Sequence, residues 1–374
     1  MIYLDYAANT PVDEQVFDTF VTVTREYPGN PNSRHRAGFA AKERMDEITE
    51  QIARILSVNA NEIIYTSGAS ESNNLAVKGI ARMYRNQGKH IISTYLEHSS
   101  VSGALTALQN EGYEIDLVDI KEDGTVDLEH LSELLRPDTI LVSVCYVDSE
   151  LGVCQPVEEI KNLVKEKSNA FFHTDATQAV GKIPVNFGLA DLVSFTPHKF
   201  FGLNGCGVLI RKEEVILEPL IHGGVSTTMF RSGTPCIGQA ASILKALEMA
   251  VMKQAERYET VKKVNQKIRL LEKQYPRLRI NSPEHAVPHI LNMSVSGVKA
   301  GLMQKAMDEQ GICISTKSAC SVPNTPSRPV LAVTHDKKNA MSSFRLSFSH
   351  LTTMGEIEEF IRCFDICYKN LENK

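Results

Sequence analysis

The 374-residue chain predicts an α/β fold with a mostly parallel sheet in a large domain and a smaller α+β domain. Three observations carry that expectation. Short apolar runs alternate with amphipathic stretches of helical length from Ile63 to Ile210, the rhythm of successive βαβ units whose helices cover both faces of a parallel sheet. That rhythm changes past Cys236, where one long helical stretch gives way to mixed short strands and helices. At 43% hydrophobic and 23% charged, the chain can bury a sizeable core and then some. The expected division places residues 12–255 in the large domain and residues 1–11 with 256–374 in the small one.

Taken in order, Tyr3 to Val16 reads as a short strand and a polar turn, with a helix beginning near Pro11 and Thr10 as its cap. Tyr27 to Ser33 is a Pro/Gly/Asn loop, and a long helix follows from about Ala37 to Leu56. Glu62 to Leu75 reads as strand, glycine turn and helix start. Its Ser67-Gly68-Ala69-Ser70 turn offers free N–H groups and hydroxyls where a phosphate could sit, or a plain serine cap with a nearby glutamate. Strands are expected at Ile91–Ser93, Ile115–Val118, Ile140–Tyr146 and Gly207–Ile210, and helices from near His98, at Leu128–Leu135 and at Val157–Lys165. Beyond a helix running to about Leu271, strands are expected near Ile290–Val295, Ile312–Ser315 and Phe344–Phe348. Helices are expected near Gly301–Glu309 and Gly355–Tyr368, and the Pro-rich run Ser321 to Pro329 reads as an exposed, mobile loop.

A formal charge of −5 without a basic block argues against nucleic-acid binding. The longest apolar run, near Ile140 to Val147, is too short to span a bilayer, and Met1 to Asp5 does not read as a signal peptide. Eight cysteines without CxxC or Cys/His zinc spacing fit a reduced, cytoplasmic protein that holds no metal.

The chemistry concentrates between Ala170 and Lys199. Two apolar runs, Ala170-Phe171-Phe172 and Leu192-Val193-Ser194-Phe195, end in Asp175 with Gln178 beyond it, and in Thr196, His198 and Lys199. In an open α/β sheet ligands bind beyond the carboxyl ends of strands, so an acid, an amide, a hydroxyl, an imidazole and an amine would share one rim. That set suits pyridoxal 5'-phosphate (PLP), which needs a lysine for its Schiff base and a carboxylate against its pyridine nitrogen. Two ordinary strand-end charges are the plainer reading of Asp175 and Lys199. It weakens when both end adjacent buried strands.

With those residues in place, the chain resembles the cysteine desulfurases of the NifS/IscS type, class V, PLP-dependent transferases of fold type I. The likeness runs through Tyr3-Leu4-Asp5-Tyr6, Gly29-Asn30-Pro31, Thr66-Ser67-Gly68-Ala69, Glu97-His98, Asp175-Ala176-Thr177-Gln178 and His198-Lys199. It continues through His222-Gly223-Gly224, Arg231-Ser232-Gly233-Thr234, Ser318-Ala319-Cys320 and Arg345-Leu346-Ser347. Each fragment is weak alone; their order together is specific.

The resemblance implies that Lys199 carries the cofactor, Asp175 pairs with its ring nitrogen, Gln178 touches the ring hydroxyl and His98 stacks on the ring and moves a proton. Ser70, Thr196, His198 and the Ala69 backbone would hold the phosphate, joined by Thr234 of a second copy, which implies a homodimer. Asn30, Ser149 and Arg345 would hold the substrate, the last as a guanidinium fork on a carboxylate. Cys320 would take the sulfur of L-cysteine as a persulfide and pass it to an acceptor protein in iron–sulfur cluster assembly or tRNA thiolation. His98 also reads as a helix cap and Arg345 as a buried ion-pair partner. Cys313, Cys363 and Cys367 read as core cysteines.

The chain departs from the family pattern in several places. Asp148-Ser149 replaces two asparagines, and Lys317 replaces the glycine before Ser-Ala-Cys. His350 replaces an arginine, and Thr196-Pro197 replaces Ser-Gly. Lysine at 317 would be strained if the backbone there has φ > 0, or its ammonium would lower the pKa of Cys320. Two other expectations stay open: a selenocysteine lyase or aminotransferase of the same fold, and a non-catalytic PLP-binding scaffold. Cys320 speaks against plain transamination, and the intact Lys199, Asp175, His98 and Cys320 speak against the scaffold.

Overall fold

The computed structural model describes residues 1–317 and 325–372. In chain order the first part contains β1 (Ile2–Tyr3), α1 (Glu14–Glu26), α2 (Arg36–Leu56), β2 (Ile63–Thr66), α3 (Ala69–Met83), β3 (His90–Thr94), α4 (Ser99–Asn110) and β4 (Glu114–Val118). There follow α5 (Leu128–Leu134), β5 (Thr139–Ser143), α6 (Val157–Lys167), β6 (Phe171–Asp175), β7 (Leu192–Phe195) and β8 (Gly207–Arg211). Seven of these strands form one sheet in the order β2-β8-β7-β6-β5-β3-β4. All neighbours are parallel except β8, which runs antiparallel to both β7 and β2.

Strand side chains alternate between the two faces, and each face has its own core. Ile92, Val142, Phe172, Val193 and Val208 pack into one cluster, and Ile91, Leu141, Leu192 and Leu209 into the other. This two-sided burial is why the strands read as continuous apolar runs. The β6/β7 register sets Asp175 opposite Ser194, so both strands finish on the same rim.

The second part holds α7 (Ile237–Met252), α8 (Gln254–Arg269), β9 (Leu278–Ile280), β10 (Ile290–Val295), α9 (Ala300–Glu309), β11 (Ile312–Cys313), α10 (Arg328–Thr334), α11 (Lys337–Ser342), β12 (Ser343–Ser347) and α12 (Met354–Glu372). An antiparallel sheet of order β12-β10-β9 buries Leu291, Met293, Phe344 and Leu346 against Val264 and Ile268 of α8 and Phe360 and Phe364 of α12.

The N-terminal segment joins the second part, forming a two-stranded sheet with β11 and reaching β12. Ile2 and Tyr3 pair in parallel with Ile312 and Cys313, and Asp5 bridges to Ser347.

The structure corrects three local expectations. Helix α1 starts at Glu14, capped by Asp13, whose side chain accepts from the Gln15 N–H. The Thr10 hydroxyl instead donates to the His198 carbonyl and accepts from the Phe201 N–H, a long-range use that leaves no local pattern. The helix expected to run to Leu271 breaks at Lys253 into α7, buried along most of its length, and the more polar α8. The end of the Pro-rich run is helical, because Ser327 caps α10 and a proline sits in its first turn, where no N–H is required. Cys320 and the run from Ser318 to Asn324 lie outside the described residues.

Candidate active site

A cavity of about 360 Å³ opens above the carboxyl ends of β6 and β7. Of the residues singled out from sequence, Ala69, Ser70, His98, Ser149, Asp175, Gln178, Thr196, His198, Lys199 and Arg345 all line it. Strand ends supply Asp175 and Thr196, and the tight turn Pro197–Lys199 that follows β7 supplies His198 and Lys199.

Asp175 is buried, and each carboxylate oxygen accepts one N–H: Oδ1 from Thr177 at 2.9 Å and Oδ2 from Asn73 Nδ2 at 2.7 Å. Asn73, inside the first turns of α3, also donates to Ser100 Oγ at 2.9 Å. Ser100 Oγ in turn lies 2.8 Å from His98 Nδ1, so one amide links the acid and the imidazole. Asn73 was missed from sequence. Its only signal is a polar residue at a position that α3 buries completely.

His98 caps α4, as the plainer reading had it, with Nδ1 accepting the Ser100 N–H at 3.2 Å. Burial lowers its pKa, opposed by Asp175 and assisted by Lys199. The neutral ring then carries its proton on Nε2.

Lys199 Nζ donates to the carbonyls of Ala7 at 2.9 Å and Ala8 at 2.6 Å. Gln178 reaches the same Ala7 carbonyl with Nε2 and accepts from Lys182 Nζ with Oε1, both at 2.9 Å. Thr196 Oγ1 lies 2.9 Å from His198 Nδ1, and burial, with Lys199 and Lys182 beside it, pulls His198 down to about 4.

At the β2–α3 turn Gly68 has φ +154° and no atom within 4 Å of where a Cβ would lie, so its backbone faces open space at the mouth of α3. Glu71 closes the turn by accepting the Ser67 N–H at 2.7 Å and pairing with Arg231 at 2.9 Å. Burial opposes ionisation of Glu71, but those bonds outweigh it and its pKa falls.

Arg345, at the opposite wall, has a side chain only 2% exposed. Its Nη2 pairs with Asp5 at 2.8 Å and its Nη1 donates to the Ser149 carbonyl at 2.8 Å. The ion-pair reading of Arg345 therefore holds, and the same side chain also borders the cavity.

Two residues are not brought there. Asn30 is exposed, and its Oδ1 accepts the Asn32 N–H at 2.9 Å. Thr234 is exposed in a neighbouring depression with Ser67, Cys206, Arg231 and Cys236. Lys317 is not among the non-glycine residues with positive φ, which in the described chain are Ser57, Phe201 and His335, so the strain expected there is not found. Its Nζ donates to Thr325 O and Oγ1 at 2.9 and 2.8 Å. His350 sits behind the site, with Lys182 and Arg257.

A carboxylate with lone pairs to spare, an amine just beyond the next strand end, an imidazole and an open helix mouth with nearby hydroxyls share this one cavity. Thr177 Oγ1, buried on the wall without a hydrogen-bond partner among the described residues, is one more polar atom awaiting a ligand.

The chain belongs to the aminotransferase class-V family, whose model matches residues 2–360. Its relatives within that family carry a narrower name. A cysteine desulfurase IscS from Glaesserella parasuis is 39% identical over 371 residues, covering 96% of this chain and 91% of its own. A solved NifS-like protein superposes with a TM-score of 0.91 at 31% identity over the whole of both chains. A structure described as SspA in complex with cysteine gives a TM-score of 0.82 at 29% identity, covering 94% of this chain and all of that one.

Proposed function

We propose that the chain is a cysteine desulfurase that holds pyridoxal 5'-phosphate and moves the sulfur of L-cysteine onto Cys320, releasing L-alanine. The observation that carries this reading is the convergence of Asp175, Lys199, His98 and Arg345 on one cavity at the carboxyl ends of two neighbouring strands.

When bound, the cofactor supplies a protonated ring that absorbs the electron pair left on the amino acid's Cα. The chain's own groups do the rest. Asp175, fixed by Asn73 and Thr177, keeps the ring-nitrogen proton in place. The β2–α3 turn, Ser70, Thr196 and His198 cradle the phosphate, and the low pKa of His198 makes it a neutral hydrogen-bond partner. Lys199 would hold the cofactor, and its free amine would be the base that takes the Cα proton and returns one to the product. Its amine is steered toward the N-terminal segment by the Ala7 and Ala8 carbonyls. His98, neutral with Nε2–H, would lie against the ring from the cavity wall and could pass a proton. Arg345 keeps one guanidinium edge on Asp5 and offers the cavity side to the substrate carboxylate.

The sulfur step balances without an outside oxidant. The substrate C–S bond breaks, an S–S bond forms on Cys320, and the substrate carbon gains the hydrogen that makes alanine. Among the described cysteines, burial raises the thiol pKa of Cys145, Cys154, Cys206, Cys363 and Cys367, which keeps them protonated and unreactive. Cys236 is exposed and Cys313 half-buried, so burial alone does not select the nucleophile, and Cys320 is taken from its place in the Ser318-Ala319-Cys320 motif. The reading takes the enzyme as a cytoplasmic homodimer serving a sulfur-acceptor protein, with exposed Thr234 reaching the second copy's phosphate site.

The test is alanine release from L-cysteine by wild type, Cys320→Ala and Lys199→Ala, with visible absorbance followed in parallel. Wild type should form alanine. Cys320→Ala should keep the cofactor absorbance but lose sulfur transfer, and Lys199→Ala should lose the lysine-linked absorbance. Sulfur transfer at the wild-type rate in Cys320→Ala would move the nucleophile elsewhere. Cofactor-loaded wild type that releases no alanine would overturn the reading.

A further inference from the structure

Behind the active site, with Lys199 on the shared wall and α8 on the far side, lies a smaller cavity of about 20 Å³ whose walls are mainly basic and aromatic. We propose that the space enclosed by Lys182, Arg257, His289 and His350 is a binding site for one small monovalent anion, of the size and charge of chloride. Three features carry this.

The first is charge. No carboxylate of the described chain lines the cavity. Arg257 is only 8% exposed and makes no ion pair among the described residues. A guanidinium stays charged under all ordinary conditions, and buried charges are almost always paired. The face of Phe201, 5.4 Å from the guanidinium carbon, compensates only in part.

The second is unmet hydrogen bonding. Arg257 Nε and His289 Nδ1 are both buried without a partner, and both residues line the cavity. His289 is 6% exposed. Orphaned buried polar atoms are uncommon, and two around one void point to an occupant.

The third is size. The room of about 20 Å³ is enough for one water-sized particle and therefore admits a halide. A water would satisfy the hydrogen bonds without adding to the negative charge that Asp13 and Glu256 already set near the arginine. An anion does both.

The site connects to the chemistry through Lys182, which lines this cavity and donates to Gln178 Oε1 at 2.9 Å on the other side. It is also linked to pH. Burial pulls Lys182 down to about 7, with Lys199 and Arg345 adding to the effect. Burial likewise holds His289 near 3, with Lys182 and His350 adding, and His350 near 4, with Arg257 and Lys253 adding and Asp13 opposing. On Arg257, burial is opposed by Asp13 and Glu256; Tyr6 lines the wall as well. An anion favours the protonated form of each base, so it should bind more tightly as pH falls through the range of Lys182.

Two measurements on the cofactor-loaded protein decide the matter. In sodium gluconate of constant ionic strength, replacing gluconate by chloride should raise the thermal midpoint saturably. The rise should be larger at about pH 6.5 than at about pH 8.5 and lost in His289→Asn. An equal response to chloride and gluconate, or an undiminished one in His289→Asn, would overturn the site. Crystals grown in bromide should show an anomalous peak between Arg257 and His289. An ordered water there with no anomalous signal would overturn it equally, and this arm needs no variant.

Discussion

Glu97 lies directly before His98 and is fully buried. Its Oε1 accepts the Cys145 N–H at 2.7 Å and the Thr94 hydroxyl at 3.0 Å, while Oε2 has no partner among the described residues. Burial, with Asp175 and Asp148 adding to it, pushes the carboxyl up to about 8. The folded chain therefore holds Glu97 neutral where the unfolded chain ionises it. For a raised acid the stabilising contribution is full below the unfolded value and is lost as pH rises toward the folded one. Glu97→Gln keeps the acceptor toward Cys145 and Thr94 and removes the ionisation. Urea unfolding should show the variant gaining on wild type steadily from about pH 5 to about pH 8. A difference that does not change with pH would mean that Glu97 is ionised in the fold. The residue also marks a limit of the sequence. Asp175 and Lys199 were legible because each ends a short apolar run, and two such ends fall on one rim in any parallel sheet. Glu97 could be noticed beside His98, but nothing local says that its carboxyl is fully buried. Asn73 was invisible for the same reason: its two partners come from β6 and from α4.

At the scale of elements, the approach of β8 to the turn after β2 sets the helix mouth. Gly207 starts β8, and a Cβ there would meet the Gly68 carbonyl carbon at 2.5 Å and Gly68 Cα at 2.6 Å. Those are backbone atoms and cannot swing aside. Gly207→Ala must push the Ser67–Ala69 turn outward, spoiling N–H groups that would face a phosphate. The expected result is a loss of ~1–3 kcal/mol in stability, as for overpacked cores, together with weaker retention of the cofactor on dialysis. Retention at the wild-type level would show that the turn yields without harm. The strand itself was expected from sequence, but not its reversed direction, since an apolar run reads alike either way along the sheet. Helix boundaries failed where a long-range bond decided them, as when Thr10 serves His198 and Phe201 instead of capping α1. They held where the cap is local, as with His98 ahead of α4.

Across the whole molecule, residues 1–10 work as a strap from β11 and β12 to the active site. Ile2 and Tyr3 add to β11, Asp5 pairs with Arg345 and accepts from Ser315 Oγ at 3.0 Å, the Ala7 carbonyl accepts from Lys199 and Gln178, and Thr10 holds the His198 carbonyl. The ion pair is the part that bears on substrate. Arg345 is almost wholly buried and Asp5, 18% exposed at its side chain, is its only salt-bridge partner in the described chain. Asp5→Asn keeps an oxygen acceptor but leaves the guanidinium without a counter-charge, which should cost ~2–3 kcal/mol of stability. If Arg345 also clamps a substrate carboxylate, an amino acid in the cavity restores what the variant lost. L-alanine should therefore raise the thermal midpoint of cofactor-loaded Asp5→Asn more than that of wild type, and the alanine affinity should increase with it. Equal shifts in the two proteins would confine Arg345 to joining the strap to β12, and the carboxylate would have to be held by another group on the cavity wall.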